Sequence, residues 1–229
     1  MLVSCLMPTA NRREFLPLAI ACWKAQDWPM RWRELVVIDD GTDRVEDLFK
    51  DVEGCAYIRV AGPQCLGAKR NLACEAARGE ILVHWDDDDW SAVSRVTDQV
   101  VRLLLSRALV GGYRSLLFWN EARQEASRYG CDGKTDADYA LGTSLCYRRS
   151  YWQAHPFLRH ESKGEDNVFI RPARERSEIV TAHGGAMMVA RLHARNTIER
   201  PSPPAWPLVD AREIPRDFFA MLAACAVAH

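Results

Sequence analysis

Short apolar runs alternate with helical segments through the first half of the 229-residue chain. The apolar runs are short enough to be strands, and they cover residues 2–7, 34–41, 56–60 and 80–85. The intervening segments have helical hydrophobic spacing or a closing glycine, and they cover residues 14–24, 66–79 and 91–106. Strands and helices that alternate at this spacing form parallel βαβ units. We therefore predict an α/β fold with a central, mostly parallel sheet flanked by helices.

Charge and hydropathy exclude several classes of protein. Lys plus Arg total 30 against 31 for Asp plus Glu, so the net charge of -1 gives no basic surface for general nucleic-acid binding. No uninterrupted apolar stretch is as long as the about 18 residues that a membrane-spanning helix needs. The first residues do not have the pattern of a secretion signal, so we expect none. The eight cysteines form no CxxC pair. We expect free buried thiols and a cytoplasmic protein, either soluble or peripheral to the inner face of the membrane.

Four consecutive aspartates, Asp86 to Asp89, follow the strand predicted at residues 80–85. Thr9 follows the first predicted strand, and Asp39 and Asp40 end the second. Because ligands bind at the carboxyl ends of parallel strands, these side chains are expected at one edge of the sheet. Carboxylate oxygens select Mg²⁺ or Mn²⁺, which in turn bind phosphates. The alternative is a solvated acidic turn or a structural Ca²⁺ loop.

A second signal is basic. Lys69 and Arg70 occur where the segment "LGAKRN" opens a predicted helix. A helix N-terminus favours an anion such as a phosphate. The alternative is a pair of solvated basic side chains.

Taken in order, four segments resemble the family 2 glycosyltransferases, which have the GT-A fold. They are "SCLMPTANRREFLPLAI", "QDWPMRWRELVVIDDG", "GAKRNLACEAARGEILVHWDDDDW" and "GEDNVFIR". The resemblance covers residues 2–197. It implies one GT-A domain at residues 1–199, with a nucleotide-binding half at 1–106 and an acceptor and catalytic half at 107–199. Residues 200–229 are expected to be a proline-rich linker and a C-terminal helix.

The resemblance also implies how the donor is held. Thr9 would lie beside the nucleotide base, and Asp39 and Asp40 would hydrogen-bond to it. Arg70 would lie near the base or the diphosphate. Asp87 would contact the ribose or the metal. The donor is expected to be a nucleotide-diphosphate sugar, with a UDP-sugar as the first expectation.

For the metal and the chemistry, the resemblance implies a DxD motif at Asp86 to Asp88. Asp88 and Asp86 would bind Mn²⁺ or Mg²⁺ together with His193, although a lone histidine is often structural. Asp166 would be the general base and Glu165 would position the acceptor. The alternative for Asp166 is a helix-capping role, because acids favour the first turn of a helix.

The implied reaction is metal-dependent and inverting, and it moves one sugar to an acceptor hydroxyl. The acceptor is a glycan, a lipid-linked molecule or a small molecule, and the region from Tyr113 to Tyr139 and the segment after Arg200 are expected to recognise it. Trp85 or Trp90 is a candidate for stacking on a sugar ring. The QxxRW motif of processive synthases is absent from the sequence. "DDGTD" is one residue shorter than the common family form, and Pro172 is expected to interrupt its helix.

Two alternatives remain. One is a catalytically inactive relative that binds a nucleotide-sugar or a glycan. The other is a sugar-phosphate nucleotidyltransferase, which needs a glycine-rich basic signature after the first strand. The segment "PTANRREF" contains no glycine, which disfavours that alternative.

Overall fold

The first three strands along the chain pair in parallel and form one side of the sheet. The structure, a computed structural model, describes residues 1–130, 138–161, 163–196 and 206–226. The strands are β1 Val3–Thr9, β2 Arg33–Asp39, β3 Cys55–Arg59, β4 Ile81–His84, β5 Trp90–Ser91, β6 Val110–Asn120, β7 Glu125–Gly130, β8 Cys146–Arg148, β9 Ile179–His183, β10 Met188–Leu192 and β11 Leu208–Val209. The helices are α1 Leu16–Lys24, α2 Leu66–Ala76, α3 Arg95–Ser106, α4 Arg149–Ala154, α5 Glu165–Glu175 and α6 Arg216–Ala226.

The strands form one mixed sheet, which confirms the predicted α/β fold. Only some of its strand pairs are parallel. The spatial order is β11-β7-β6-β8-β4-β1-β2-β3, and β9 and β10 also pair with β6. β1 to β4 pair in parallel, as the alternation with helices predicts. β7 and β8 pair antiparallel with β6, and β8 pairs antiparallel with β4. The short connection from β6 to β7 explains part of this change, because a hairpin can join only antiparallel strands.

Both faces of the sheet are covered by helices. Along β1, Cys5 and Met7 face one apolar cluster, whereas Leu6 faces the other. The first cluster includes residues of α1, α3 and α6, and the second includes residues of α2, α4 and α5. This burial on both sides explains why the strands are continuously apolar rather than alternating.

Two helix predictions differ from the structure. α3 begins at Arg95 rather than near Ser91, because Trp90 and Ser91 pair with β10 instead. α5 continues through Pro172, which the sequence predicted as an interruption. The proline lacks an N–H group and so removes one helical hydrogen bond, but the turns on both sides persist.

The C-terminal helix packs back on the domain. Phe218 of α6 is fully buried, and its ring lies edge-on to those of Trp90 and Trp119 at 6.5 and 6.4 Å. The predicted linker at 200–205 lies outside the described residues. Over the described part of the chain, no helix is both long and apolar enough to cross a membrane. The seven cysteines in the described residues are free thiols, and Cys131 lies outside them.

Candidate active site

The carboxyl ends of β1, β2 and β4 meet at one edge of the sheet, as predicted. Thr9 is in register with Asp39 of β2. The Thr9 hydroxyl donates a hydrogen bond of 2.6 Å to Asp87, which follows β4. The parallel register therefore joins segments 78 residues apart in the sequence.

Three of the four consecutive aspartates form a group that could hold a cation. One carboxylate oxygen from each of Asp86, Asp88 and Asp89 lies within 4.8 Å of the others. Asp89 was not predicted as a site residue, and it is positioned by hydrogen bonds from the Thr143 hydroxyl (2.8 Å) and the Arg191 backbone N–H (3.1 Å). The DxD motif was assigned to Asp86 to Asp88, so it did not predict a role for Asp89.

The residues present fit a hard divalent cation. Asp86 is partly buried and lines a cavity. Within the described residues its carboxylate takes part in no hydrogen bond or ion pair, and the charges of Arg12 and Arg95 act on it without direct contact. Removing a charged carboxylate from water costs free energy unless another group interacts with it. A partly buried carboxylate without a hydrogen-bond partner is therefore stabilised by a bound cation or by solvent. Oxygen-only ligation favours Mg²⁺ or Mn²⁺ over softer metals.

Part of the negative charge is already offset within the protein. Arg12 donates to Asp87 at 2.9 Å and to Asp88 at 2.7 Å through the same nitrogen. Arg12 was also missed from the sequence, although it follows β1 at the same edge as Thr9. Its position after the first strand was the signal that could have identified it.

Burial and neighbouring charges shift the pKa values of the aspartates in different directions. Burial, followed by the charge of Asp88, raises the pKa of Asp87 to about 6 against the opposing effect of Arg12. Burial also raises the pKa of Asp89 well above its usual value. For Asp88, burial acts to raise the pKa, but the hydrogen bond from His193 and the charge of Arg12 lower it overall. Of Asp87, Asp88 and Asp89, Asp88 is therefore the one that favours its charged form.

His193 lies beside the cluster and not within the group of three carboxylates. Its Nε2 is 3.1 Å from an oxygen of Asp88, and its ring stacks on Phe15 at 3.9 Å. The amide of Asn196 lies 3.3 Å from the same Nε2. These contacts orient the ring toward Asp88, and metal ligation by His193 stays a prediction.

The two acids at the end of β2 are held by protein groups. Asp39 accepts hydrogen bonds from Tyr57 and from the backbone N–H of Gly41. Asp40 forms an ion pair of 2.9 Å with Lys69. Neither lines the cavity. Their predicted contacts with a nucleotide base stay predictions.

The other predicted basic residue has a buried partner. Arg70 forms an ion pair with Glu165, and the two side chains are 5% and 4% exposed. Burial raises the pKa of Glu165, and Arg70 opposes that rise. The guanidinium of Arg70 thus neutralises Glu165 and fixes the start of α5 against α2. Its predicted contact with a base or diphosphate stays a prediction.

Asp166 lies at the start of α5 and faces the cavity. Gly164 precedes it with φ of 74°, a left-handed conformation that glycine adopts without strain. Asp166 accepts a hydrogen bond of 2.8 Å from the adjacent backbone N–H of Asn167. The side chain therefore satisfies part of the helix start and also lines the cavity.

A cavity of about 470 Å³ lies between the aspartates that follow β4 and the start of α5. Asp86 to Asp89, Glu165 and Asp166 all line it. Trp85 and Trp90 do not, because both are core residues at 1% and 3% exposure. The sequence-based candidates for sugar stacking are therefore wrong. Trp206 is the tryptophan that lines the cavity among the described residues.

In an open α/β sheet, ligands bind at the carboxyl ends of the parallel strands, which is where the clustered carboxylates lie. The family model for "Glycosyl transferase family 2" matches residues 4–188. The chain belongs to this family of transferases.

Solved structures support the GT-A-like fold. Staphylococcus aureus TarS 1-349 in complex with UDP matches with a TM-score of 0.65 and 19% identity, covering 84% of this chain and 61% of that chain. TarS 1-349 in complex with UDP-GlcNAc matches with a TM-score of 0.67 and 18% identity, covering 99% and 66%. The mannosyltransferase PcManGT from Pyrobaculum calidifontis, in complex with GDP-Man and Mn²⁺, matches with a TM-score of 0.67 and 16% identity, covering 84% and 57%.

This chain spans less than two thirds of the length of those three chains. At such low identity, the likeness establishes the fold alone. No curated protein matches the sequence significantly.

Proposed function

We propose that the protein is a metal-dependent, inverting glycosyltransferase that moves one sugar from a nucleotide-diphosphate sugar to an acceptor hydroxyl. The observation that carries this proposal is the shared cavity, which brings the three-carboxylate group and Asp166 together. Family membership supports the same reaction class.

In this proposal, Asp86, Asp88 and Asp89 hold Mn²⁺ or Mg²⁺. Bound there, the divalent cation offsets negative charge on the departing diphosphate as a Lewis acid. The mannosyltransferase neighbour was solved with Mn²⁺, which supports this choice of ion. Thr9 holds Asp87 in place, and Arg12 balances the charge of Asp87 and Asp88.

Asp166 accepts the proton of the acceptor hydroxyl as that oxygen attacks the anomeric carbon. The carbon–oxygen bond to the acceptor forms while the bond to the diphosphate breaks. Because this is one displacement from the face opposite the leaving group, the anomeric configuration inverts. Glu165, neutralised by Arg70, positions the start of α5 and so the base beside it.

The proposal keeps a nucleotide-binding half at residues 1–106 and an acceptor half at 107–199. A UDP-sugar is the first candidate donor, supported by the UDP and UDP-GlcNAc complexes of TarS. A reducing, cytoplasmic location is part of the proposal, and the free thiols of the described cysteines support it. Association with a membrane surface stays a prediction.

The test combines calorimetry of UDP and GDP, each with Mn²⁺, and release of free nucleoside diphosphate from UDP- and GDP-sugars. Asp166→Asn should keep nucleotide binding and lose transfer, since the amide cannot accept the proton. Asp51→Asn is the matched control, because Asp51 is exposed and remote from the cavity. Native transfer by Asp166→Asn would exclude Asp166 as the base. Metal-dependent binding without turnover would identify an inactive relative.

A further inference from the structure

Four aromatic side chains line the cavity: Phe118, Tyr129, Tyr139 and Trp206. The Trp206 ring lies 4.8 Å from that of Phe118 and 4.9 Å from that of Tyr129. Phe118 and Tyr129 are neighbours on the paired strands β6 and β7, with their rings edge-on at 6.1 Å. We call Phe118, Tyr129 and Trp206 the aromatic wall. Phe118 is 1% exposed, so the surface that the wall offers to a ligand comes mainly from the half-buried Tyr129 and Trp206.

The aromatic wall depends on a segment beyond the residues that match the family. The match ends at residue 188, whereas Trp206 lies just before β11. β11 extends the sheet by pairing with β7, and the Arg128 N–H donates to the Pro207 carbonyl at 3.0 Å. Arg128 also forms an ion pair with Glu213. Beyond it, α6 is anchored in the core by Phe218.

The wall shares its cavity with polar groups suited to a carbohydrate. Asp166 and Asn167 line the same cavity as the three rings. A pyranose ring has an apolar C–H face, which packs on the electron-rich face of an aromatic ring, and hydroxyls at its edge. Those hydroxyls can pair with a carboxylate and an amide. A plain alkyl chain would leave the same groups unpaired, which is unfavourable.

We propose that the aromatic wall is an acceptor subsite that binds a pyranose ring, so that the acceptor is a carbohydrate. This inference rests on the proposed glycosyltransferase function, because it takes Asp166 as the base toward which the acceptor hydroxyl is presented. The C-terminal segment then determines acceptor specificity by supplying Trp206.

The experiment measures ligand binding directly. Saturation-transfer NMR is recorded on the full chain with UDP and diamagnetic Mg²⁺ in place of Mn²⁺. The ligands are a panel of methyl hexopyranosides and their β-linked disaccharides, with octanol as the apolar probe. Trp206→Ala should weaken pyranoside binding by about tenfold, the loss expected for a stacked ring. Trp206→Phe keeps a ring and should restore most of it. Trp206→Met keeps bulk without a ring, and should bind as weakly as alanine while preserving the melting temperature.

Trp32→Ala is the matched control, because Trp32 is 45% exposed and does not line the cavity. It should bind the panel like the wild type. Unchanged pyranoside binding in Trp206→Ala, binding by none of the panel, or Trp206-dependent binding of octanol alone would each overturn the inference.

Failure of the inference and failure of the proposed function give different results. If the wild type turns over a nucleotide-sugar but its pyranoside binding is independent of Trp206, only the acceptor subsite is wrong. If the pyranosides bind through Trp206 but no nucleoside diphosphate binds with Mn²⁺, the subsite stands as a carbohydrate site and the transferase function is wrong.

Discussion

Replacing Gly142 by alanine should displace the proposed base without touching the donor. Gly142 lies in a short 3-10 turn before β8, and its backbone conformation is open to alanine. An added Cβ would lie 2.9 Å from Asp166 Cγ and closer still to one of its carboxylate oxygens. Ordinary contact begins at 3.4 Å, so the carboxylate has to move. The added Cβ would also lie 3.0 Å from Asp166 Cβ, so the start of α5 has to yield slightly. The carboxylate lines the cavity and can rotate further away from the turn.

The geometry sets the size of the effect. The required displacement of the carboxylate is on the order of 1 Å, and a misplacement of that size can cost about 100-fold in rate. Complete loss of a general base costs about 10²- to 10⁴-fold, which is the upper bound. The stability cost should stay near the lower end of the about 1–3 kcal/mol of overpacked sites, because the cavity relieves the clash.

The assay is the transfer rate at saturating donor, with calorimetry of UDP and Mn²⁺ as the measure of donor binding. Gly142→Ala should reduce the rate and keep nucleotide affinity. Gly185→Ala is the control, since its Cβ would lie 3.3 Å from the flexible end of the Arg128 side chain and at an ordinary 3.7 Å from Leu117. In an Asp166→Asn background, Gly142→Ala should cost nothing more, because residues that act as a unit are not additive. A native rate for Gly142→Ala, or a full further loss in the double variant, would refute this reasoning.

Three further predictions concern charge. Asp86→Asn should lower Mn²⁺-dependent UDP affinity at least about tenfold in calorimetry. The melting temperature should change little, since the carboxylate makes no hydrogen bond or ion pair within the described residues. Equal affinity would remove Asp86 from the cation site. Because the pKa of Asp87 is raised to about 6, the protein gains a proton as the pH falls through that value and the cluster loses negative charge. Mn²⁺ affinity should therefore fall as the pH is lowered through about 6, because protons on Asp87 and on Asp89, whose pKa is also raised, oppose cation binding. A flat titration would contradict this linkage. Arg70→Met should lower the free energy of unfolding by about 3–5 kcal/mol in urea, because it leaves Glu165 buried without its partner. Adding Glu165→Gln should recover much of that loss, and an unaltered midpoint in the single variant would show that the ion pair is not stabilising.

The sequence predicted the sheet edge well because that part of the fold is local. Apolar runs end where acids begin, and parallel strands bring those ends together, so Thr9 and the aspartates after β4 could be placed in advance. Asp166 at the start of α5 followed from the same kind of local signal. The boundary of α3 could not be predicted, because Trp90 and Ser91 pair with a strand nearly 100 residues later.

By itself, the sequence determined the class of fold, since hydrophobic period is a property of the chain alone, and its ordered segments resembled the family that the family model then matched. Only the tertiary structure decided which charges meet. It paired Arg12 with Asp87 and Asp88, gave Arg70 to Glu165, and added Asp89 to the carboxylate group. It also buried Trp85 and brought Trp206 to the cavity. These partners are far apart in the sequence, and the free energy of an ion pair or a stacked ring depends on separation and burial in space, which no local pattern records.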